Sequence, residues 1–205
     1  MSVSLWGRDP DRLEAAAGRC ADAFTDTVDV TDAGAVDRAV GELRRRGRLR
    51  VVVWAAGLFD WAPADRADPA TWTRLLDVNL TAAASLTARV LPALIDAAPS
   101  SLLYIGSGAA HQAFPGNAAY VAGKHGLAGL AEAVFLDVRD RDVKVSLISP
   151  GLVAAGAGLQ SPAGRQRPDE LLTPADVAAA ARFVVTFPVR GCPTQIRLQP
   201  QRSPD

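Results

Sequence analysis

The chain has 205 residues, of which 49% are hydrophobic and 21% charged, and its formal net charge is +0 at pH 7. This length is ample for one hydrophobic core and short for two, so we expect a single domain over residues 1–205. The balanced charge gives no indication of a nucleic-acid partner, and no apolar run indicates a membrane span. The two cysteines, Cys20 and Cys192, exclude a disulfide scaffold and a metal site, and they favour a cytoplasmic location.

Short apolar runs alternate along the chain with longer stretches of helical periodicity. In chain order the predicted elements are strand 2–6, helix 10–23, strand 27–30, helix 33–46, strand 50–54, helix 69–97, strand 101–105, helix 117–138, strand 143–148, helix 176–186 and strand 194–198. Asp9 and Thr173 are the predicted N-caps of the first and last helices. Residues 155–169 are predicted to form a mobile loop, and residues 200–205 a frayed tail.

The alternation predicts the fold class. Strands that are apolar throughout and that alternate with helices are typical of a parallel sheet covered by helices on both faces. We therefore expect an α/β fold with a doubly wound, Rossmann-like sheet. Ligands of such sheets bind outside the carboxyl ends of the strands, which is where candidate functional residues should be sought.

Tyr120 and Lys124 lie four residues apart in a predicted helix, so their side chains share one face. An ammonium close to a phenol favours the phenolate and lowers the tyrosine pKa from its usual value of about 10. A tyrosine of this kind can exchange a proton with a carbonyl or alcohol oxygen. Lys124 is one of only two lysines in a chain rich in arginine, which argues against a chance pair. Ser107, 13 residues before Tyr120, can donate a hydrogen bond to the same substrate oxygen.

These residues belong to a series of motifs, in the right order and spacing, that resembles the short-chain dehydrogenase/reductase family from residue 3 to about residue 199. The matching positions are Asp29 and Val30 of an Asp-Val pair, Trp54 to Gly57 of an Asn-Ala-Ala-Gly turn, Asn79 of the catalytic asparagine motif, the set Ser107, Tyr120 and Lys124, and Pro150, Gly151 and Val153 of a Pro-Gly-x-Val turn. The resemblance implies an oxidoreductase that interconverts a carbonyl and an alcohol with NADP(H).

The resemblance also implies roles for individual residues. Tyr120 would be the general acid or base, and Lys124 would lower its pKa and bind the nicotinamide ribose. Ser107 would orient the substrate carbonyl, and Asn79 would hold a water linked to Lys124. The residues implied to bind the cofactor are Arg8, Asp29, Val30, Ala56, Gly57, Tyr120, Lys124, Pro150, Gly151 and Val153.

Two further expectations follow from the same resemblance. Arg8 follows Gly7 at the end of the first predicted strand, and the last position of that strand is not acidic. This pattern favours the 2′-phosphate of NADP, although NAD stays possible. The substrate would be a small molecule, and the enzyme a homodimer or larger homo-oligomer. Its two long helices, 69–97 and 117–138, would pack against their copies, because the second carries small residues: Ala119, Ala122, Gly123, Gly126 and Gly129.

The chain departs from the family pattern at its beginning. The first predicted strand matches the second strand of the family, so the glycine-rich loop that cradles the cofactor pyrophosphate has no counterpart. In the family order 3-2-1-4-5-6-7, the first strand is central. Three arrangements would resolve the gap: a longer natural chain, direct pairing of the two flanking strands, or a strand supplied by another chain. Trp54 and Ala155 also replace a family asparagine and threonine.

Three functions therefore stay open at this point. One is the oxidoreductase described above. The second is a subunit or pseudoenzyme that has lost the cofactor along with the phosphate loop. The third keeps acid–base chemistry at Tyr120 without redox, as in an isomerase or dehydratase. His111 and His125 are interpreted as bystanders, with His111 nearer to the expected substrate side of Ser107; Phe114, Pro115 and Asn117 are weaker candidates for lining the same pocket.

Overall fold

The computed structural model describes residues 2–202, so Met1 and residues 203–205 of the predicted tail lie outside the described part of the chain. The strands are β1 Val3–Gly7, β2 Ala23–Thr27, β3 Val51–Trp54, β4 Ser100–Ile105, β5 Val143–Pro150 and β6 Gln195–Leu198. The helices are α1 Pro10–Ala17, α2 Ala33–Arg46, α3 Pro69–Leu76, α4 Ala82–Asp96, α5 Ala118–Val138, α6 Ala157–Gln160, α7 Pro162–Gln166 and α8 Pro174–Thr186. A π-helical turn, Asp77–Thr81, joins α3 to α4, and single 3-10 turns lie at Ala64–Arg66, Gly108–Ala110, Arg139–Arg141 and Pro168–Glu170.

All of the pairings between these strands are parallel, and helices alternate with them along the chain. The strands form a two-stranded unit, β1-β2, and a four-stranded unit in the order β3-β4-β5-β6. Parallel strands joined through helices are the arrangement expected of a Rossmann-like fold. The predicted α/β class is thereby confirmed.

The sheet is interrupted between β1 and β3, which share no backbone pairing in residues 2–202. Of the three arrangements considered, direct pairing of these strands is therefore wrong; the other two stay untested. Trp6 of β1 nevertheless packs against the hydrophobic cluster that contains Trp54 of β3. Both indole N–H groups are buried without a hydrogen-bond partner, an unfavourable arrangement for a buried donor.

The core lies on β4 and β5, which are almost entirely buried. Leu102 of β4 is 1% exposed and Ile148 of β5 is 0% exposed, as is Leu127 of α5. The continuous helix Pro69–Asp96 is long and apolar enough to span a membrane, which corrects the expectation that no such stretch exists. Its apolar face supplies core residues such as Val90 and Leu94, so core packing accounts for its composition.

The structure differs from the sequence-based predictions in the first helix, in the strand that follows it and in residues 155–169. The first helix ends at Ala17 instead of residue 23, and the following strand begins at Ala23 instead of residue 27, so Asp29 and Val30 follow β2. Residues 155–169, predicted to form a loop, contain α6 and α7. Asp9 and Thr173 cap α1 and α8 as predicted.

The second lysine of the chain has a structural role. Lys144 is buried in β5, and its ammonium donates to the carbonyls of Val184 (3.2 Å) and Val185 (3.4 Å) and also to that of Phe187. These carbonyls end α8, where the helix leaves acceptors unpaired and a cation is favourable. Lys144 therefore fixes the C-terminal end of α8 to the sheet, far from Tyr120 in sequence and on a different element from Lys124.

Candidate active site

Ser107 and Tyr120 are brought together beyond the carboxyl end of β4. Ser107 has an extended backbone immediately before the turn Gly108–Ala110, and its hydroxyl also accepts from the Ala109 amide at 3.2 Å. Tyr120 lies in the first turn of α5, near enough to Ser107 for the serine hydroxyl to lower the pKa of the phenol. Phe59 packs edge-on against the Tyr120 ring, with 5.0 Å between ring centroids. The two hydroxyls thus share one site at the edge where the fold class predicts ligands.

Lys124 lies one helical turn beyond Tyr120 and is 5% exposed. Its ammonium lies 5.7 Å from the centroid of the Tyr120 ring and donates to the Ile105 carbonyl at 3.1 Å. Burial lowers the pKa of Lys124 to about 8, because a charged ammonium is poorly solvated there. Charge on this side chain is therefore sensitive to mildly alkaline pH.

The pKa of Tyr120 is shifted in the direction opposite to the one expected from its spacing to Lys124. Burial raises this pKa above 10.0, and the hydrogen bond with Ser107 opposes the shift only in part. The reason is geometric: the ammonium of Lys124 is directed to the backbone of β4 instead of the phenol oxygen. In this structure Tyr120 is consequently a neutral phenol at neutral pH, which can donate a proton.

Asn79 anchors the loop that follows β3. It is fully buried in the π-helical turn Asp77–Thr81; its side-chain amide donates to the Leu58 carbonyl at 2.9 Å and accepts from the Leu58 amide at 3.1 Å. Gly57 passes so close that an added Cβ would lie 3.0 Å from Asn79 Oδ1 and 3.5 Å from Lys124 Nζ. The glycine of the Ala-Ala-Gly turn is therefore required by close approach, and it places this loop beside Lys124.

Arg8 and Asp29 meet at a separate cavity of about 290 Å³, which also includes Thr31 and Arg74. The remaining residues that line it are Leu58, Ala70, Thr73, Asp77 and Val78. Hydrogen bonds from the Thr31 hydroxyl and amide hold the pKa of Asp29 below its usual range, and Arg8 adds a smaller effect. The cavity thus combines two carboxylates, Asp29 and Asp77, with two guanidinium groups. Carboxylates can accept hydrogen bonds from ribose hydroxyls, and guanidinium groups can bind a phosphate.

Five other positions are implied to bind the cofactor: Val30, Ala56, Pro150, Gly151 and Val153. Val30 and Ala56 are partly buried against the core. Pro150 ends β5, and a Cβ on Gly151 would lie 2.6 Å from Gln199 Oε1. Val153 forms an isolated parallel bridge with Leu172.

Three residues of the site were not found from the sequence. Phe59 and Leu58 act through contacts between distant elements, which no local pattern reveals. The sequence did offer a signal that Arg74 belongs to the site. It shares a helix face with Asp77 and Val78, which directly precede Asn79. Asn117, considered only weakly, precedes α5 with a buried side-chain oxygen that has no partner among the described residues. A buried, unpaired acceptor beside Tyr120 is the kind of group that a ligand satisfies.

The low pKa of Lys124 predicts how stability depends on pH. Between about pH 8 and 10 the folded lysine is largely neutral, while the unfolded lysine, whose ordinary pKa is 10.5, still binds its proton. The unfolded state then binds more protons, so the free energy of unfolding should rise with pH in this window, by at most about 1.4 kcal/mol per unit. Urea unfolding at pH 7.5, 8.5 and 9.5 should show this rise in the wild type and lose it in Lys124→Met. Equal slopes in both proteins would contradict the assignment.

Comparisons with known proteins agree with this geometry. The family described as short chain dehydrogenase matches residues 1–166. Sulfoacetaldehyde reductase 2 of Chromohalobacter salexigens is 28% identical over 98% of this chain and 85% of its own length. Trans-4-hydroxycyclohexanecarboxylate dehydrogenase of Sinomonas cyclohexanicum is 34% identical over 62% of this chain and 49% of its own. An uncharacterized NAD-dependent oxidoreductase of Mycobacterium tuberculosis is 31% identical over 60% of this chain, and the match spans about half of its length (46%).

Solved structures share the fold. An alcohol dehydrogenase from the archaeon Thermococcus sibiricus, complexed with 5-hydroxy-NADP, has a TM-score of 0.88 at 23% identity and covers 98% of this chain and 88% of its own. A metagenomic short-chain oxidoreductase in complex with NADP has a TM-score of 0.81 at 27% identity and covers 98% of this chain and 86% of its own. The chain belongs to the short-chain dehydrogenase/reductase family.

Proposed function

We propose that the protein interconverts a carbonyl and an alcohol with NADP(H), using Tyr120 as the general acid or base. The observation that carries the proposal is the shared site of Ser107 and Tyr120, with Lys124 buried one helical turn behind the phenol. Hydride transfer is the chemistry that the nicotinamide supplies when bound. In the direction of reduction, Ser107 donates a hydrogen bond to the carbonyl oxygen and Tyr120 gives that oxygen its proton.

Tyr120 carries the proton that the direction of reduction uses. Burial raises the pKa of this phenol, so it keeps its proton at neutral pH and is a weaker acid than an ordinary tyrosine. Lys124 is proposed to bind the nicotinamide ribose, and Asn79 is proposed to support it by holding the loop that contains Gly57 beside Lys124. Oxidation of an alcohol would require the phenolate, which a bound cofactor could favour by turning the ammonium away from the Ile105 carbonyl.

We assign the adenosine end of the cofactor to the cavity of Arg8 and Asp29. Arg8 and Arg74 both line it, and two guanidinium groups suit the 2′-phosphate of NADP better than a free ribose hydroxyl. The complex of the metagenomic relative with NADP supports this preference. The mycobacterial relative is named for NAD, so the preference is a matter for measurement. Val30, Ala56, Pro150, Gly151 and Val153 are proposed to complete the cofactor site.

The names of the relatives suggest a substrate class. Sulfoacetaldehyde carries a sulfonate and trans-4-hydroxycyclohexanecarboxylate carries a carboxylate, and in each compound the acid accompanies a carbonyl or hydroxyl group. A second reductase of Chromohalobacter salexigens named for sulfoacetaldehyde is 29% identical over 98% of this chain. We infer that the substrate is a small carbonyl compound that bears an acid group.

A second candidate is a pseudoenzyme that no longer binds cofactor. The observation that favours it is the absence, in residues 2–202, of a glycine-rich loop at a helix N-terminus that could hold the pyrophosphate. The two functions are separated by following the oxidation of NADPH, and of NADH, at high concentration with acidic and neutral aldehydes. Turnover that depends on Tyr120 supports the oxidoreductase. A chain that neither binds nor oxidises either cofactor supports the pseudoenzyme.

We further propose that the chain is one cytoplasmic domain, residues 1–205, that forms a homodimer through α4 and α5. The dimer was expected partly because α5 carries small residues, and the structure explains two of these residues without a dimer. A Cβ on Gly123 would lie 3.1 Å from Asn79 Cβ, and one on Gly126 would lie 2.6 Å from a Leu80 methyl, so both glycines are explained within the chain. Gly129 has open space around its Cβ position, and Leu136 of the same helix is 56% exposed.

The proposed dimer predicts a specific disruption. The replacement Gly129→Arg introduces a large charged side chain on the open face of α5 and should convert a dimer to a monomer without unfolding it. Light scattering at micromolar concentrations measures the mass, and circular dichroism checks the fold. A wild type that is monomeric throughout, or a Gly129→Arg protein that stays dimeric, would contradict this interface.

A further inference from the structure

The pairing of β5 with β6 places a basic side chain beside the proposed substrate site. Ser149, 1% exposed, is the ladder partner of Arg197. Partnered residues of neighbouring strands direct their side chains to the same face of a sheet, and Ser149 and Arg197 both lie near the carboxyl ends of their strands. Arg197 is therefore on the face of the sheet to which the Ser149 hydroxyl points.

His111 contacts Ser149 on that face of the sheet. Its Nε2 is 3.0 Å from the Ser149 hydroxyl. The residue immediately follows the turn Gly108–Ala110 that begins after Ser107, so this turn joins Ser107 to the pair of His111 and Ser149. Arg197 lies on the same face of the sheet as Ser149, and its charge acts on His111.

The electrostatics agree with this placement. Burial lowers the pKa of His111 first, and the charge of Arg197 lowers it further, with a smaller effect from His125. His111 is consequently neutral at pH 7 and carries one ring N–H. A neutral imidazole donor together with a guanidinium forms a positive surface at which an anion is favoured over a neutral group.

We propose that Arg197 and His111 form the subsite that recognises the acid group of the substrate. The guanidinium of Arg197 binds two oxygens of a carboxylate or sulfonate, and His111, held by Ser149, donates to the same group. Ser107 and Tyr120 then receive the carbonyl at the other end of the molecule. The proposal rests on the proposed function for its substrate class, but recognition of the anion requires neither cofactor nor turnover.

Nuclear magnetic resonance can test this subsite directly, because the chain has only two histidines, His111 and His125. His125 is exposed and serves as an internal reference. The probe is isethionate, an alcohol that carries a sulfonate, and ethylene glycol is the neutral counterpart, both at ionic strength matched with sodium chloride. Isethionate should shift the ring signals of His111 saturably and leave those of His125 unchanged, and ethylene glycol should shift neither.

The variant Arg197→Gln should raise the apparent Kd for isethionate about tenfold. This is the lower end of the effect expected for loss of a charge-assisted hydrogen bond, because Arg197 is exposed and solvent weakens its interactions. Arg197→Lys should fall between the two. The matched control is Arg190→Gln, an equally exposed arginine at the opposite, amino end of the sheet, which should bind as the wild type does.

The outcomes separate this proposal from the function on which it rests. Unchanged affinity in Arg197→Gln, or equal shifts of both histidines, overturns the subsite even if the protein reduces carbonyl compounds. Arginine-dependent binding of isethionate to a protein without turnover supports the subsite and contradicts the proposed oxidoreductase. In an active protein, Arg197→Gln should raise KM about tenfold for an acidic aldehyde and leave KM for propanal unchanged.

Discussion

Replacement of Tyr120 by phenylalanine should lower kcat about 10²–10⁴-fold, the contribution that general acid catalysis typically makes. Phenylalanine keeps the ring and its edge-on contact with Phe59, whose centroid is 5.0 Å away, and removes only the hydroxyl. The loss should therefore be seen mainly in kcat. The measurement is steady-state oxidation of NADPH in the presence of an acidic aldehyde, with the wild type and Tyr120→Phe compared at the same pH.

The matched control is Tyr104→Phe, which removes the only other tyrosine hydroxyl of the chain. Tyr104 is buried in β4, where its hydroxyl lies 2.6 Å from that of Thr87 and burial raises its pKa to about 12. Its loss should affect stability and leave kcat near the wild-type value. Near-normal turnover in Tyr120→Phe would show that Tyr120 is not the proton donor, and the proposed mechanism would be withdrawn.

The second large effect concerns cofactor affinity. In the 205-residue chain NADPH should bind about 10³–10⁶-fold more weakly than to a relative that has the phosphate loop. The estimate corresponds to three missing charge-assisted hydrogen bonds of roughly 1.5–3 kcal/mol each, about 4–9 kcal/mol in total. The cavity of Arg8 and Asp29 would still hold the adenosine end, so adenosine 2′,5′-bisphosphate should lose much less affinity than NADPH.

Isothermal titration calorimetry with both ligands measures this difference. Double replacement of Arg8 and Arg74 by glutamine should weaken the bisphosphate and leave adenosine unaffected, because only the phosphate contacts are removed. A low-micromolar Kd for NADPH in the wild type would contradict the prediction. It would mean that another group binds the pyrophosphate.

The alternation of strands and helices could be predicted from the sequence because the buried strands are apolar throughout. The helix α2 has the predicted bounds, 33–46, and α5 differs by one residue. The strand β2 was misplaced because it lies at the edge of the sheet, where Thr25 and Asp26 give it no apolar signature. The first helix was predicted too long because Cys20, Ala21 and Ala23 continue the apolar pattern beyond the alanines of the helix. The helix in fact ends at Ala17, and Gly18 is its C-cap.

The residues of the site could be predicted, but their electrostatics could not. The spacing of Tyr120 and Lys124 fixes a shared helix face, yet it does not show that the ammonium reaches the Ile105 carbonyl of β4. That contact depends on how α5 packs on the sheet, and with burial it reverses the expected direction of the tyrosine pKa. The π-helical turn around Asn79 was likewise hidden, because residues 69–96 have an uninterrupted helical pattern.

The central claim is that hydride reaches a carbonyl carbon at a site where Tyr120 supplies the proton. Its most direct test is reduction of an acidic aldehyde with NADPH that carries deuterium at both C4 positions of the nicotinamide. Every variant is assayed at the same NADPH concentration, and the alcohol is analysed by mass spectrometry. The account predicts one deuterium on the carbinol carbon with the wild type and with Tyr104→Phe, and alcohol formed about 10²–10⁴-fold more slowly with Tyr120→Phe. Alcohol without deuterium, or labelled alcohol formed at the same rate by Tyr120→Phe, would contradict it.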